Sequence, residues 1–141
     1  MAIQFTKWGG VGGLEQYIIN QTGCTPFTGA GINYRKTQKT TILKSVDDTY
    51  YYDDNLNDIT DVEYTLFGHC GDQDVCERKF NEPLLNPVKT EHIYLYRVSP
   101  GKKQEYWWYG KYQIVGQITR LHQGKDHVMR NIIVLNLRKI D

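Results

Sequence analysis

The chain is poor in cysteine, nearly neutral in total charge, and without a long apolar run. Its 141 residues include three cysteines (Cys24, Cys70 and Cys76), and the formal net charge is +1. An odd cysteine count without a signal peptide argues against a disulfide-stapled scaffold and for a reducing, intracellular compartment, the nucleus of a eukaryote or the cytoplasm of a bacterium. The N-terminus, Met1-Ala2-Ile3-Gln4-Phe5, lacks the basic, apolar and small-residue regions of a secretory signal. No apolar stretch approaches the roughly eighteen residues of a membrane span, so no membrane partner is expected. Repeats, low-complexity tracts and linkers are also missing.

Several chemistries lack their residues. Gly9-Gly10-Val11-Gly12-Gly13 has no following Lys-Ser/Thr pair and does not clearly follow a strand, so it is not a phosphate loop. His69, Cys70 and Cys76 are three potential zinc ligands, but structural zinc wants four, and there is no Cys-x-x-Cys pair. No Gly-x-Ser-x-Gly nucleophile motif occurs. His122 and His127 lie in a polar connection that reads as a solvated hairpin rather than a nuclease centre, and there is no His-Asn-His or Asp…Glu-x-Lys cluster. No catalytic residues, metal or cofactor are expected, and the chain alone reads as a non-enzyme.

What is present is tyrosine: 11, against 4 phenylalanines and 3 tryptophans. Tyrosine has a stacking face and a hydrogen-bonding tip, which suits recognition surfaces; its β-propensity equally suits strands. Two segments concentrate the aromatics, Tyr64-Thr65-Leu66-Phe67-Gly68-His69-Cys70-Gly71-Asp72-Gln73 and Tyr106-Trp107-Trp108-Tyr109-Gly110-Lys111-Tyr112-Gln113-Ile114-Val115. Charge is segregated as well. Residues 46–63 hold seven acidic groups and no Lys or Arg, whereas from Lys89 onward basic residues predominate. Such asymmetry permits a basic face on a near-neutral protein.

A chain of this length forms one domain with a core of its own. Leu14–Ile19 reads as a short helix, and Asp74–Phe80 as a helical turn or ordered loop. Thr40–Ser45, Val62–Phe67, His92–Val98, Tyr106–Trp108, Lys111–Thr119 and Asn131–Arg138 read as strands. Strands at about ten-residue spacing with few helices imply a barrel or curled sheet. Between the first two strands runs an acidic loop with Tyr51-Tyr52-Asp53-Asp54, where rings adjoin carboxylates. A carboxylate can accept from the exocyclic amine of a cytosine taken out of a duplex, and flat rings can sandwich the base.

Taken in order, these pieces resemble the SRA domain, also called YDG, a PUA-like reader of modified cytosine. Gly31-Ile32 matches the Gly-Ile ahead of the family's first core strands, and Ile42-Leu43-Lys44-Ser45 the strand entering its base-pocket loop. Tyr51-Tyr52-Asp53-Asp54 resembles that loop, and Tyr64 to Gln73 the segment ending in Gly-Asp-Gln. Arg78-Lys79-Phe80-Asn81-Glu82-Pro83-Leu84-Leu85 is similar to the next Asn-x-x-Leu stretch, Ile93-Tyr94-Leu95-Tyr96-Arg97 to the strand after it, and Tyr109-Gly110-Lys111 to the motif that names the family. The family's second stacking tyrosine falls near Leu66, with Tyr64 and Phe67 beside it. The loop between Asp54 and Gly68 is longer than the family's, and the glycines before the pocket tyrosine are missing.

The resemblance implies an α+β, mainly β fold: a PUA-like curled β-barrel with a few short helices, in a single SRA-like domain. Residues 1–30 would form a Gly-rich N-terminal extension and 31–139 the barrel. It implies a DNA-binding module that recognises 5-methyl- or 5-hydroxymethylcytosine in double-stranded DNA by base flipping. Tyr51 or Tyr52 would stack on the base, Tyr64 or Phe67 would supply its other face, and Asp53 or Asp54 would accept from its amine. Arg78, Lys79 and Asn81 would enter or border the duplex, and Lys102, Lys103, Arg120, Lys125 and Arg130 would contact phosphates. Two other readings stand beside this one: a PUA-like structural or protein-interaction module without base recognition, and one part of a modification-dependent restriction nuclease.

Overall fold

The computed structural model describes residues 2–26, 31–46, 60–67, 71–73, 79–99 and 105–140. In chain order the elements are β1 (Ile3–Phe5), α1 (Leu14–Thr22), β2 (Ile32–Arg35), β3 (Thr40–Val46), β4 (Asp61–Thr65), α2 (Asn81–Leu85), β5 (His92–Val98), β6 (Tyr106–Gln123) and β7 (Met129–Lys139). The strands form one sheet in the order β2-β3-β5-β6-β7-β4, with β1 off this path against β6. Pairing is antiparallel except between β3 and β5, which run parallel with Leu43 beside Leu95. The mainly β, α+β class holds. Among the described residues backbone pairing does not close the sheet, and β2 and β4 remain at its two ends.

β6 organises the sheet. The sequence reads as two strands around Gly110; the structure has one strand of 18 residues. Straight, it would run about 60 Å, longer than a domain of this size is wide, so it must bend. Two register shifts provide the bends. One lies opposite Leu95/Tyr96, where Trp108 and Gly110 pair with β5 and Tyr109 does not, and the other lies at Ile114/Gly116. Gly110 has φ +103°, a conformation that a side chain would strain. β5 occupies one edge of β6 from Tyr106 to Tyr112. The opposite edge takes β1 from Tyr106 to Trp108 and then β7 from Tyr112 to Gln123.

Alternation along the strands sends side chains to two faces, and each face has a core. Leu43, Tyr64, Leu66, Leu95, Tyr109 and Leu135 belong to the first, inside the curl. Ile42, Tyr96, Val98 and Trp108 belong to the second, on the other face, with Leu14 and Ile18 of α1. Leu14 and Ile18 are four residues apart and so share one face of the helix. The chain enters α1 through Gly13, where a Cβ would sit 2.5 Å from the Trp8 carbonyl oxygen. Residues 2–26 are therefore part of the packed body, not an extension ahead of it. The sequence pattern missed three elements. β1 and β2 are only three and four residues long. α2 has five residues and a proline in its first turn, where no N–H is needed.

Tyr96 is buried in the second core with its ring centroid 5.5 Å from that of Trp8, and its hydroxyl has no partner among the described residues. Burial, with a smaller contribution from Tyr106, raises its ionisation well above the ordinary 10.0.

Two outcomes follow from the second core. Ile18→Ala should destabilise the protein by about 2–5 kcal/mol in urea titrations, whereas a change in a loose extension would lie within about 0.5 kcal/mol. Tyr96→Phe should leave stability at neutral pH unchanged or raise it by up to about 1 kcal/mol, because the hydroxyl it removes is buried with no partner among the described residues. The folded state keeps the Tyr96 proton above pH 10, where the unfolded chain loses it, so this contribution is full below pH 10 and is lost as pH rises further. Alkaline denaturation of Tyr96→Phe should accordingly show a shallower loss.

Candidate nucleic-acid interface

The site expected from the sequence lies where β3 ends and β4 leads into the Gly-Asp-Gln segment. Of its proposed base-binding residues, Tyr51, Tyr52, Asp53 and Asp54 lie outside the described residues, as do Arg78, Lys102 and Lys103 among the DNA contacts. The described surroundings fix the frame from which those segments depart.

Tyr64 is 4% exposed, with its ring in the first core. Its hydroxyl lies 3.0 Å from the carbonyl oxygen of Gly31 and 3.1 Å from that of Lys44, so its single proton is shared between them. Lys44 N–H also donates to the Gly31 oxygen, at 2.7 Å. Tyr64 thus joins β4, at one end of the sheet, to β3 and the approach to β2 at the other. It is framework, and its buried ring presents no stacking surface. Leu66, two residues on and on the same face, is fully buried as well. Lys44 is half-buried, and desolvation lowers its pKa.

Phe67 is half-buried and stacks on Phe80, with centroids 4.2 Å apart and planes 26° from parallel. The Lys79 ammonium lies 5.5 Å from the Phe80 centroid. Asn81, expected to probe the duplex, is fully buried. Its Oδ1 accepts from Phe67 N–H at 2.9 Å, and its Nδ2 donates to the Phe67 carbonyl at 3.2 Å. That bidentate grip holds the Phe67 backbone in place of a neighbouring strand, so Asn81 is a clamp and not a probe.

Gly71-Asp72-Gln73 is a second clasp. Gln73 N–H donates to the Asn131 carbonyl at 3.0 Å. Its side-chain oxygen accepts from Ile133 N–H at 2.7 Å, and its side-chain nitrogen donates to the Leu66 carbonyl at 2.7 Å. The amide thereby continues the β4–β7 ladder beyond the end of β4. Asp72 accepts from Asn131 N–H at 2.8 Å. Sequence reasoning placed this motif in the site by resemblance and missed its mechanical role. An amide-bearing residue just past a strand end is the signal available.

The expected phosphate-binding cations divide. Arg130 is 3% exposed and directs Nη1 toward the Gly71 carbonyl at 3.5 Å, which places it in the framework. Arg120 holds both carboxylate oxygens of Glu63 at 3.0 Å. Lys79 and Lys125 are exposed, the latter in the turn that joins β6 to β7. Among the described residues no three His, Cys, Asp or Glu side chains group as metal ligands, and His69, Cys70 and Cys76 lie outside them. The described rim thus offers a stacked aromatic pair with a cation over it, on a rigidly pinned backbone.

Tyr64→Phe should cost about 1–2 kcal/mol of stability, since it strips one donor from two carbonyls; a ring serving only to stack would lose nothing. Gln73→Ala should cost about 1–3 kcal/mol, leaving Ile133 N–H and the Leu66 carbonyl without that partner. Urea denaturation measures both.

The comparisons agree with this frame. The family model described as ScoMcrA-like, SRA domain, matches residues 16–141. No curated protein matches the chain. Among solved structures, the sulfur binding domain and SRA domain of ScoMcrA complexed with phosphorothioated DNA share 23% identity, with a TM-score of 0.58, over 89% of this chain and 37% of that one. The SUVH5 SRA–fully methylated CG DNA complex shares 21% identity, with a TM-score of 0.59, over 89% of this chain and 83% of that one. The DNA modification-dependent restriction endonuclease AspBHI shares 11%, with a TM-score of 0.64, over 98% of this chain and 74% of that one. At these identities the structures establish the fold alone, and the chain spans little more than a third of the ScoMcrA chain. The family match covers most of the sequence, and this chain belongs to the ScoMcrA-like SRA domain family.

Proposed function

We propose that this chain is a DNA-binding module that recognises 5-methyl- or 5-hydroxymethylcytosine in double-stranded DNA by flipping the base, and that it is non-catalytic by itself. The observation that carries the reading is the family match over residues 16–141. Support comes from its structural relatives, whose SRA domains are solved with fully methylated CG DNA and, alongside a sulfur binding domain, with phosphorothioated DNA. Such a reader works in the cell interior, where DNA is.

The roles follow from the chemistry of each group. Asp53 or Asp54 accepts from the exocyclic amine of the flipped base, and Tyr51 or Tyr52 stacks on one face. Phe67 takes the other face, because the Tyr64 ring is committed to the core and Phe67 sits on a pinned backbone at the rim. The 5-substituent gains an apolar niche, worth about 1–3 kcal/mol for a methyl group. Arg78 and Lys79 border the duplex, and Lys102, Lys103 and Lys125 contact phosphates, which positions the protein without reading sequence. A second reading, one part of a modification-dependent restriction enzyme, is favoured by the likeness to the phosphorothioation-dependent restriction endonuclease ScoMcrA and to the DNA modification-dependent restriction endonuclease AspBHI. The reader chemistry is the same in both.

The test is affinity for matched duplexes carrying cytosine, 5-methylcytosine, 5-hydroxymethylcytosine or a phosphorothioate linkage, at fixed salt. We expect a preference of about 10- to 200-fold for a modified cytosine, erased by Asp53→Ala or Asp54→Ala. Lys125→Ala should weaken all duplexes alike and lower the salt slope by about one. Equal affinity for every duplex would sink modified-base recognition. Cleavage of modified DNA by the pure chain would overturn the non-catalytic assignment.

A further inference from the structure

Two consecutive residues hold two different parts of Phe67. Asn81 binds its backbone at both polar groups, with bonds of 2.9 and 3.2 Å. Phe80 holds its ring, with centroids 4.2 Å apart and planes 26° from parallel. That stack covers one face of the Phe67 ring, so a flat ligand at Phe67 has the opposite face to use. Phe80 and Asn81 are themselves anchored. They stand at the start of α2, whose Leu84 is buried in the first core, and the Phe67 and Phe80 rings pack partly against that core. The Lys79 ammonium adds a cation 5.5 Å from the Phe80 centroid.

We infer that Phe80 is a positioning residue for base recognition, which fixes the plane of the Phe67 ring on which the flipped base stacks. The inference rests on the proposed base-flipping function and deepens it at the same site. Phe67 is half-buried at the rim. An unsupported ring there would lose its rotamer freedom when a base arrived, at a cost of about 2- to 12-fold in affinity. Phe80 removes that cost before binding, because the ring is already stacked, and Asn81 does the same for the backbone. Aromatic pairs favour offset-parallel geometry beyond the area they bury. An aliphatic side chain at position 80 would fill the space but offer no flat face to set the plane. Phe67 lies between Phe80 and the base in this arrangement, so Phe80 acts through Phe67.

The test is a double-mutant cycle on binding. It uses matched duplexes carrying cytosine, 5-methylcytosine or 5-hydroxymethylcytosine at fixed salt, with circular dichroism to verify that each variant folds. Phe80→Leu should lower affinity for the preferred modified duplex by about 2- to 12-fold and affinity for the unmodified duplex by less. Phe80→Tyr keeps a flat ring and should keep the wild-type preference. Phe67→Leu should lose at least as much as Phe80→Leu. Adding Phe80→Leu to Phe67→Leu should cost nothing further, since no ring remains to be positioned. Phe80→Met serves in place of Phe80→Leu if the latter fails to fold.

A wild-type preference that Phe80→Leu leaves unchanged overturns the inference and spares base reading. So does an equal loss on modified and unmodified duplexes, which marks a purely structural role, or a double variant in which the two losses add. Equal affinity of the wild-type chain for every duplex overturns both.

Discussion

The Tyr64 hydroxyl is the contact on which this fold turns. Among the described residues the open sheet leaves two ends, β2 and β4, without a strand beyond them. Tyr64 spans that opening from the inside, with its oxygen 3.0 and 3.1 Å from two carbonyls on the far side. The bond itself contributes on the order of 1 kcal/mol. Its larger effect is geometric, since it fixes how tightly the sheet curls and so encloses the first core. Residues 47–59, which carry the proposed base-binding aspartates, join β3 to β4 in sequence, and Tyr64 bonds Lys44 two residues before β3 ends.

A second constraint pins the other side of the rim. Beyond Thr65 the β4–β7 backbone ladder would end, but Leu66 N–H still donates to the Ile133 carbonyl and the Gln73 amide fills the next positions. The Asn81 amide then grips both polar groups of the Phe67 backbone. Two side-chain amides thus serve where no described strand pairs, and backbone groups near the rim are satisfied without burying the rim itself. A binding site needs this combination of a surface open to ligand and a backbone that does not move when the ligand arrives.

How legible this was in the sequence depended on the range of the interaction. β3, β5 and β7 were evident because alternation and β-branched residues act locally, and α1 because Leu14 and Ile18 lie one turn apart. The continuity of β6 through Gly110 was hidden, because glycine reads as a break and the bulge that absorbs it depends on β5. Short β1 and β2 carry too few residues for any period to emerge. At the site, the ordering of segments was readable by resemblance, but residue roles were not. A tyrosine in an alternating strand looks the same whether it faces a ligand or the core, and the partners that commit Tyr64 are 33 and 20 residues away. Asn81 and Arg130 are polar, so sequence reasoning placed them on the surface, while their backbone partners lie 14 and 59 residues off.

Two residues of the acidic run, Asp61 and Glu63, meet basic partners within the sheet. The acidic run ends in β4, and β4 lies against the basic C-terminal strands. Asp61 is paired in register with Arg138 and bonded to it at 3.1 Å, and Glu63 reaches across β7 to Arg120 at 3.0 Å. Exposed or half-exposed pairs of this kind add at most about 1 kcal/mol each, so stability is not their main effect. They discriminate between registers. A slip of β4 by one residue would part Asp61 from Arg138 and turn Val62, Tyr64 and Leu66 from the core to the opposite face, which would undo the latch. The arginines of β6 and β7 are thus engaged in setting the frame, and the cations with reach into solvent are lysines such as Lys79 and Lys125. A lysine is a flexible point charge suited to a phosphate, while an arginine's fork suits a fixed carboxylate. In the proposed reader that division assigns DNA affinity to the lysines and base specificity to Asp53 or Asp54 with the neighbouring tyrosines.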